Sequence, residues 1–212
     1  MTGGRDDPRF HDLDSALLQA RIAMAALDEV LTPIPARVAA GSVDERLSLY
    51  IMSAGARAKG LHAAIVRESG WDNPHAVFPL LRALLDLAMV TMEVRRNPAY
   101  AMVVANDPAT SRIGRRRKSP QALVHAGLKE MPDLAAAWDL LSEMGAHFGW
   151  AAFGMAMTVE HTEDAITVTA STGPGWNDPE MKLSSLRHSI QLARSVAGML
   201  REIADLRAPD WE

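Results

Sequence analysis

Pro79-Leu80-Leu81-Arg82-Ala83-Leu84-Leu85-Asp86-Leu87-Ala88-Met89-Val90-Thr91-Met92-Glu93-Val94-Arg95-Arg96 is the stretch that decides the fold. On a helical wheel Arg82, Asp86 and Glu93 fall within roughly 40° of one another, and apolar side chains cover most of the rest. A surface helix gives water a wider face than that, so this segment predicts a helix buried deep in a bundle. Its charged line must then meet polar partners or a thin strip of solvent, because buried charges persist only when paired or hydrogen-bonded.

The composition agrees. In 212 residues, 48% are hydrophobic but only 5% aromatic, a bias toward helix over strand. A formal charge of −4 argues against a chain that coats nucleic acid with its whole surface. The absence of cysteine excludes disulfide frameworks, thiolate zinc sites and thiol nucleophiles. The first residues, Met1 to Asp12, are polar and charged, unlike a secretory leader, and no apolar run reaches the roughly 20 residues needed to span a bilayer. The expectation is a cytoplasmic protein without a membrane partner.

Working outward, Asp12 or Asp14 caps a first helix to about Leu31, stopped by Thr32-Pro33-Ile34-Pro35. Ser42-Val43-Asp44-Glu45 has capping-box spacing and opens a long helix to Ser69, rich in Ala and Gly at its centre. Asn73-Pro74 starts the decisive helix, with a kink expected at Pro79. Further helices begin at Pro98, Ser119-Pro120, Met131-Pro132 and Asp178-Pro179. Two alternating runs between Met155 and Ala170 read as a β-hairpin. The expectation is all-α: a helical bundle of about six or seven helices with one inserted β-hairpin. Residues 1–11 read as a disordered N-terminus, 12–207 as one helical-bundle domain and 208–212 as a tail.

Several constellations could carry chemistry. Arg82 and Asp86, four residues apart, can pair along the helix; with Glu93 they form either a polar ligand pocket or a structural ion pair. Asp139, Glu143 and His147 recur at four-residue spacing and form either a face that could bind a metal or shuttle protons, or a solvated one. Arg112, Arg115, Arg116, Arg117 and Lys118 lie in a stretch free of acidic residues, and Arg187, Arg194 and Arg201 recur every seven residues. Both can neutralise phosphates, as an RNA or anionic-ligand surface, or simply face water. No histidine-rich zinc motif, Glu-x-x-His pair, phosphate-binding glycine loop or nucleophile elbow occurs, so neither a metal nor a cofactor is expected.

The order of features resembles bacterial and phage helical proteins of unknown function. Those carry Arg-x-x-x-Glu on an apolar helix, an Asn/Asp-Pro stop and a later histidine. The matching residues are Leu81-Arg82-Ala83-Leu84-Leu85-Asp86-Leu87, Asn97-Pro98, and His147 within Gly145-Ala146-His147-Phe148-Gly149. Asp86 stands where that pattern has Glu, which shortens the carboxylate's reach. The resemblance implies that Arg82, Asp86 and His147 converge, as catalytic residues if the chain is an enzyme.

The group is similar in outline to HEPN-type helical domains, several of which are metal-independent ribonucleases with an Arg-x(4–6)-His motif acting across a dimer. Arg57 to His62 and Arg5 to His11 fit that spacing, about the number of matches chance supplies to this composition. Arg57 and His62 lie roughly 140° apart on their helix, with His62 bordering its apolar face. Two functions follow as expectations. One is a non-enzymatic interaction or regulatory protein of phage-defence or toxin–antitoxin type, assembled as a homodimer through the hairpin edge or the Ala/Gly-rich helix. The other is a ribonuclease or phosphodiesterase, with His147 or His62 as general acid/base and Arg82 or Arg57 holding phosphate.

Overall fold

A computed structural model describes residues 12–105, 120–145, 157–161, 166–170 and 179–206. The helices are α1 (Leu13–Leu31), α2 (Ile34–Ala39), α3 (Glu45–Gly70), α4 (Pro74–Arg96), α5 (Tyr100–Ala105), α6 (Pro120–Glu130), α7 (Pro132–Gly145) and α8 (Pro179–Ala204). The all-α class follows. The expected hairpin covers Met155–Ala170; within it, β1 (Met157–His161) and β2 (Ile166–Ala170) form an antiparallel ladder with Val159 opposite Val168. Residues 155–156 and 162–165 of that expectation lie outside the described residues, as do 1–11 and 207–212.

The helix starts follow local chemistry. Asp12 caps α1, its carboxylate accepting the Ser15 N–H at 2.7 Å. The expected capping box at Ser42 is shifted by two residues. Asp44 is the cap of α3 and accepts from Arg46 and Leu47, whereas the Ser42 hydroxyl donates to the Arg37 carbonyl. Thr32-Pro33 ends α1 as expected, but the chain re-enters a helix at once. Pro35 sits in the first turn of α2, where a missing N–H costs nothing, and Ile34 is buried. Asn73 caps α4, which runs unbroken through Pro79.

The last helix is central. α8 packs against α1, α3 and α4, and Leu186, Ile190, Ala193, Val196, Leu200 and Ile203 are buried along it. Its C-terminus is tied to α2 by Arg37, which donates to the Ala204 carbonyl at 3.0 Å and to Asp205 at 2.9 Å. α4 is shared between two layers. One side meets α3 and α8; another meets α6 and α7. Leu81, Leu84, Leu85, Ala88, Met89 and Met92 are all buried on it, so its nearly continuous apolar coat reflects two packed sides.

Small residues set the close approaches. A Cβ on Gly55 would stand 2.4 Å from Cδ2 of Leu31, so α1 and α3 meet through that glycine. The centre of the Ala/Gly-rich stretch is therefore an internal seam. One on Gly127 would lie 3.0 Å from Met89 Sδ and Met92 Cε, which marks where α6 presses on α4.

Two opposed outcomes are expected from one chemical change. Gly55→Ala forces Leu31 aside and should lower stability by about 1–3 kcal/mol. Gly60→Ala meets nothing within 4 Å and should raise it by about 0.5–1 kcal/mol through helix propensity. Urea denaturation of the two variants against wild type measures both signs.

Candidate functional site

The charged line of α4 finds its partner on α7. Trp138, facing back toward α4, donates its indole N–H to Asp86 Oδ1 at 2.6 Å. The Arg82 guanidinium carbon lies 3.9 Å from the centroid of the same indole, a cation–π contact. Arg82 Nε stands 3.8 Å from Asp86 Oδ1, an ion pair longer than a hydrogen bond. The side chains of Arg82 and Asp86 are 20% and 30% exposed, so the cluster sits at the rim of the α4–α7 seam.

His125 of α6 approaches the indole edge-on, with ring centroids 5.6 Å apart, and accepts from the Gln121 amide through Nε2 at 3.2 Å. One aromatic ring thus joins three helices. Trp138 is itself anchored in its helix, where the Ser142 hydroxyl donates to its carbonyl at 2.6 Å.

Trp138 and His125 were not singled out by sequence reasoning. A tryptophan on an amphipathic helix reads as core, and only its obligatory need for an acceptor hints at a polar partner. Nothing local says that this acceptor lies 52 residues away.

Glu93 does not join the cluster. Its carboxylate accepts from Arg96 at 3.1 Å, and Arg96 also reaches Glu130 at 2.5 Å, so this group ties the C-terminal turns of α4 and α6 together. The Glu130 carboxylate beside Arg96 holds its guanidinium pKa above the ordinary value.

Asp139 and Glu143 are exposed, on a solvated face of α7. Arg194 donates to Gln19 at 2.7 Å and Arg201 pairs with Glu29 at 3.7 Å, so two of the three heptad-spaced arginines bind α1. His147, Arg112, Arg115, Arg116 and Arg117 lie outside the described residues. No group of three or more metal-ligating side chains occurs among the described residues. A shallow hollow lined by Asp28, Glu29, Thr32 and Pro33 shares no residue with the Arg82 cluster, and its carboxylates pair with Lys59 and Arg201.

His62, one of the two histidines considered as an acid/base, is fully buried and bonded at both nitrogens. Nε2 donates to the Ala20 carbonyl at 3.0 Å, which leaves Nδ1 to accept from the Ser189 hydroxyl at 2.6 Å. This neutral ring links α1, α3 and α8. Burial pushes its pKa below the ordinary 6.5, outweighing the backbone hydrogen bond. The expectation that His62 serves RNA chemistry is therefore corrected: its apolar-face position carries it into the interior, while Arg57 is exposed. A comparable buried relay runs from the Tyr50 hydroxyl to Thr91 at 3.0 Å and from Thr91 to the Leu87 carbonyl at 2.7 Å.

With this geometry in hand, comparison with known proteins adds nothing to identify the chain. No protein-family model, curated protein or solved structure matches it.

The two polar nodes make separable predictions. Trp138→Phe removes the donor to Asp86 and should cost about 1–3 kcal/mol in urea denaturation. Asp86→Asn, which keeps an acceptor oxygen, should cost less. At His62 the unfolded chain takes up a proton near 6.5 and the folded chain only at lower pH, so acid favours unfolding. Stability should fall with a limiting slope of about 1.4 kcal/mol per pH unit below that value. Melts recorded between neutral and mildly acid pH should show this component lost in His62→Gln.

Proposed function

We propose that the chain is a non-enzymatic interaction or regulatory bundle, of phage-defence or toxin–antitoxin character, with the Arg82–Asp86–Trp138 node as its recognition element. One observation carries this reading. The Arg82 guanidinium lies over the Trp138 ring, and its buried Nε donates no hydrogen bond to a described residue. Such a donor set suits the capture of an oxyanion. Asp86, the neighbouring carboxylate, is engaged by the indole N–H, and His62 is occupied on both nitrogens. Both are used to hold helices together.

Two further parts belong to the proposal. The chain acts as a homodimer, for which the outer edge of the two-stranded β1–β2 ladder is a contact surface. Arg112, Arg115, Arg116 and Arg117 give it affinity for RNA or another polyanion. The HEPN-like ribonuclease is the competing function, and it now depends on His147.

Incubation of total RNA with wild type and His147→Ala separates the two. The expected result is RNA left intact by both, with any retention of RNA on the protein weakening steeply as salt rises. Cleavage by wild type that disappears in His147→Ala overturns the interaction reading. Light scattering should return twice the chain mass, and a strict monomer at high concentration removes the homodimer.

A further inference from the structure

We infer that the outer face of α3 is an antiparallel contact between two copies of this chain, with Ala56 at the two-fold axis. This rests on the homodimer reading and gives it a surface other than the β1–β2 ladder. Exposure, shape and charge along that face carry it.

The inward side of α3 is settled: Leu47, Ile51, Ala58 and Ile65 are buried, and Gly55 meets Leu31 of α1. On the opposite side Leu49, Met52, Ala56, Gly60 and Ala63 are exposed, with Glu45 and Arg67 exposed at the two ends. All seven fall within roughly 40° either side of one line on the wheel. Leu49 is 63% exposed and Met52 39%. Two large apolar side chains one turn apart, continued by alanines, form a strip and not a scattered residue.

The shape of that strip complements itself. Its bulky half lies toward the N-terminus from Ala56, and its small half toward the C-terminus. An antiparallel copy aligned on Ala56 sets Met52 against Gly60 of the partner subunit, and Leu49 against Ala63 of the partner subunit. The members of each pair are equidistant from residue 56, so one alignment satisfies both pairs twice, as a closed two-fold contact requires. An unrelated partner would impose no such symmetry. Gly60 sits inside a 26-residue helix, where glycine weakens the helix, and a Cβ there would meet nothing within 4 Å among the described residues. A methionine seated on it from a second copy gives that glycine a purpose.

Charge fixes the direction. The same alignment brings Glu45 to Arg67 of the partner subunit, again equidistant from residue 56. A parallel alignment would set like charges against each other at both ends. Arg67 donates to Glu68 in its own chain, yet its side chain is 60% exposed. Rim pairs of this kind add little affinity but select orientation.

The test uses the full chain, which has no cysteine, so introduced ones report contacts directly. Oxidised Ala56→Cys should run as a disulfide-linked dimer. Met52→Cys and Gly60→Cys should link when mixed and stay unlinked alone. Each lies about 12 Å along the helix from its own symmetry copy, beyond the reach of about 7 Å between disulfide-bonded Cα atoms. Gln191→Cys, at an exposed position on α8, controls for collision.

Gly60→Leu fills the gap that receives Met52 and should raise the dimer Kd at least about tenfold in sedimentation equilibrium. Its melting temperature, measured where wild type is monomeric, should be unchanged or higher. Glu45→Lys should weaken the dimer severalfold, and less so at high salt. A wild-type chain that stays monomeric at high concentration overturns this contact and the homodimer together. A dimer in which Ala56→Cys remains unlinked and Gly60→Leu changes nothing overturns the α3 contact alone and leaves the homodimer to another surface. A lowered melting temperature in Gly60→Leu shows that the face is covered from within the chain, and that too overturns the contact.

Discussion

Everything described here depends on α4 being enclosed from two sides. A helix packed by α3 and α8 on one flank and by α6 and α7 on another has almost no angle left for water. Each fully buried leucine or methionine along it contributes about 1.5–3 kcal/mol, which sets the scale of the drive toward this arrangement. The charged residues must then occupy the seams. Arg82 and Asp86 emerge where α7 crosses, and Glu93 reaches Arg96 near the end of α6. Among the described residues, α4 meets α7 through the Trp138–Asp86 hydrogen bond and α6 through the Arg96–Glu130 ion pair, one contact aromatic and the other ionic.

The sequence disclosed that enclosure clearly, because an apolar coat interrupted by a 40° stripe has few physical explanations. Helix starts were legible to within a few residues wherever Asp, Asn or Pro stood at the boundary, as at Asp12 and Asn73-Pro74. Ser42 misled, since serine and aspartate two residues apart are both competent caps and only the path of the preceding turn chooses between them. The brief helix α2 was hidden by the two prolines that also permit it.

The candidate site was half legible. Arg82 and Asp86 were readable as a pair because they share one helix, and local spacing fixes their separation. Trp138 and His125 enter from other helices, and a single sequence holds no record of which distant face they meet. His62 shows the opposite hazard. It matched a catalytic spacing, yet its place on the inward side of α3 decides its role, and the match to Arg57 carries no geometry. Wheel position was the better guide than motif.

The centrality of α8 has a consequence for how the molecule comes into being. Its contacts close very long loops: Ser189 meets His62 across 127 residues and Arg194 meets Gln19 across 175. While the chain is being made, α1, α3 and α4 leave the ribosome before α8, the helix that packs against all three. The apolar surface that α8 covers stays open until that helix is delivered, and exposed apolar surface of this kind favours self-association. Nascent copies held at that stage are the ones a chaperone would be expected to shelter.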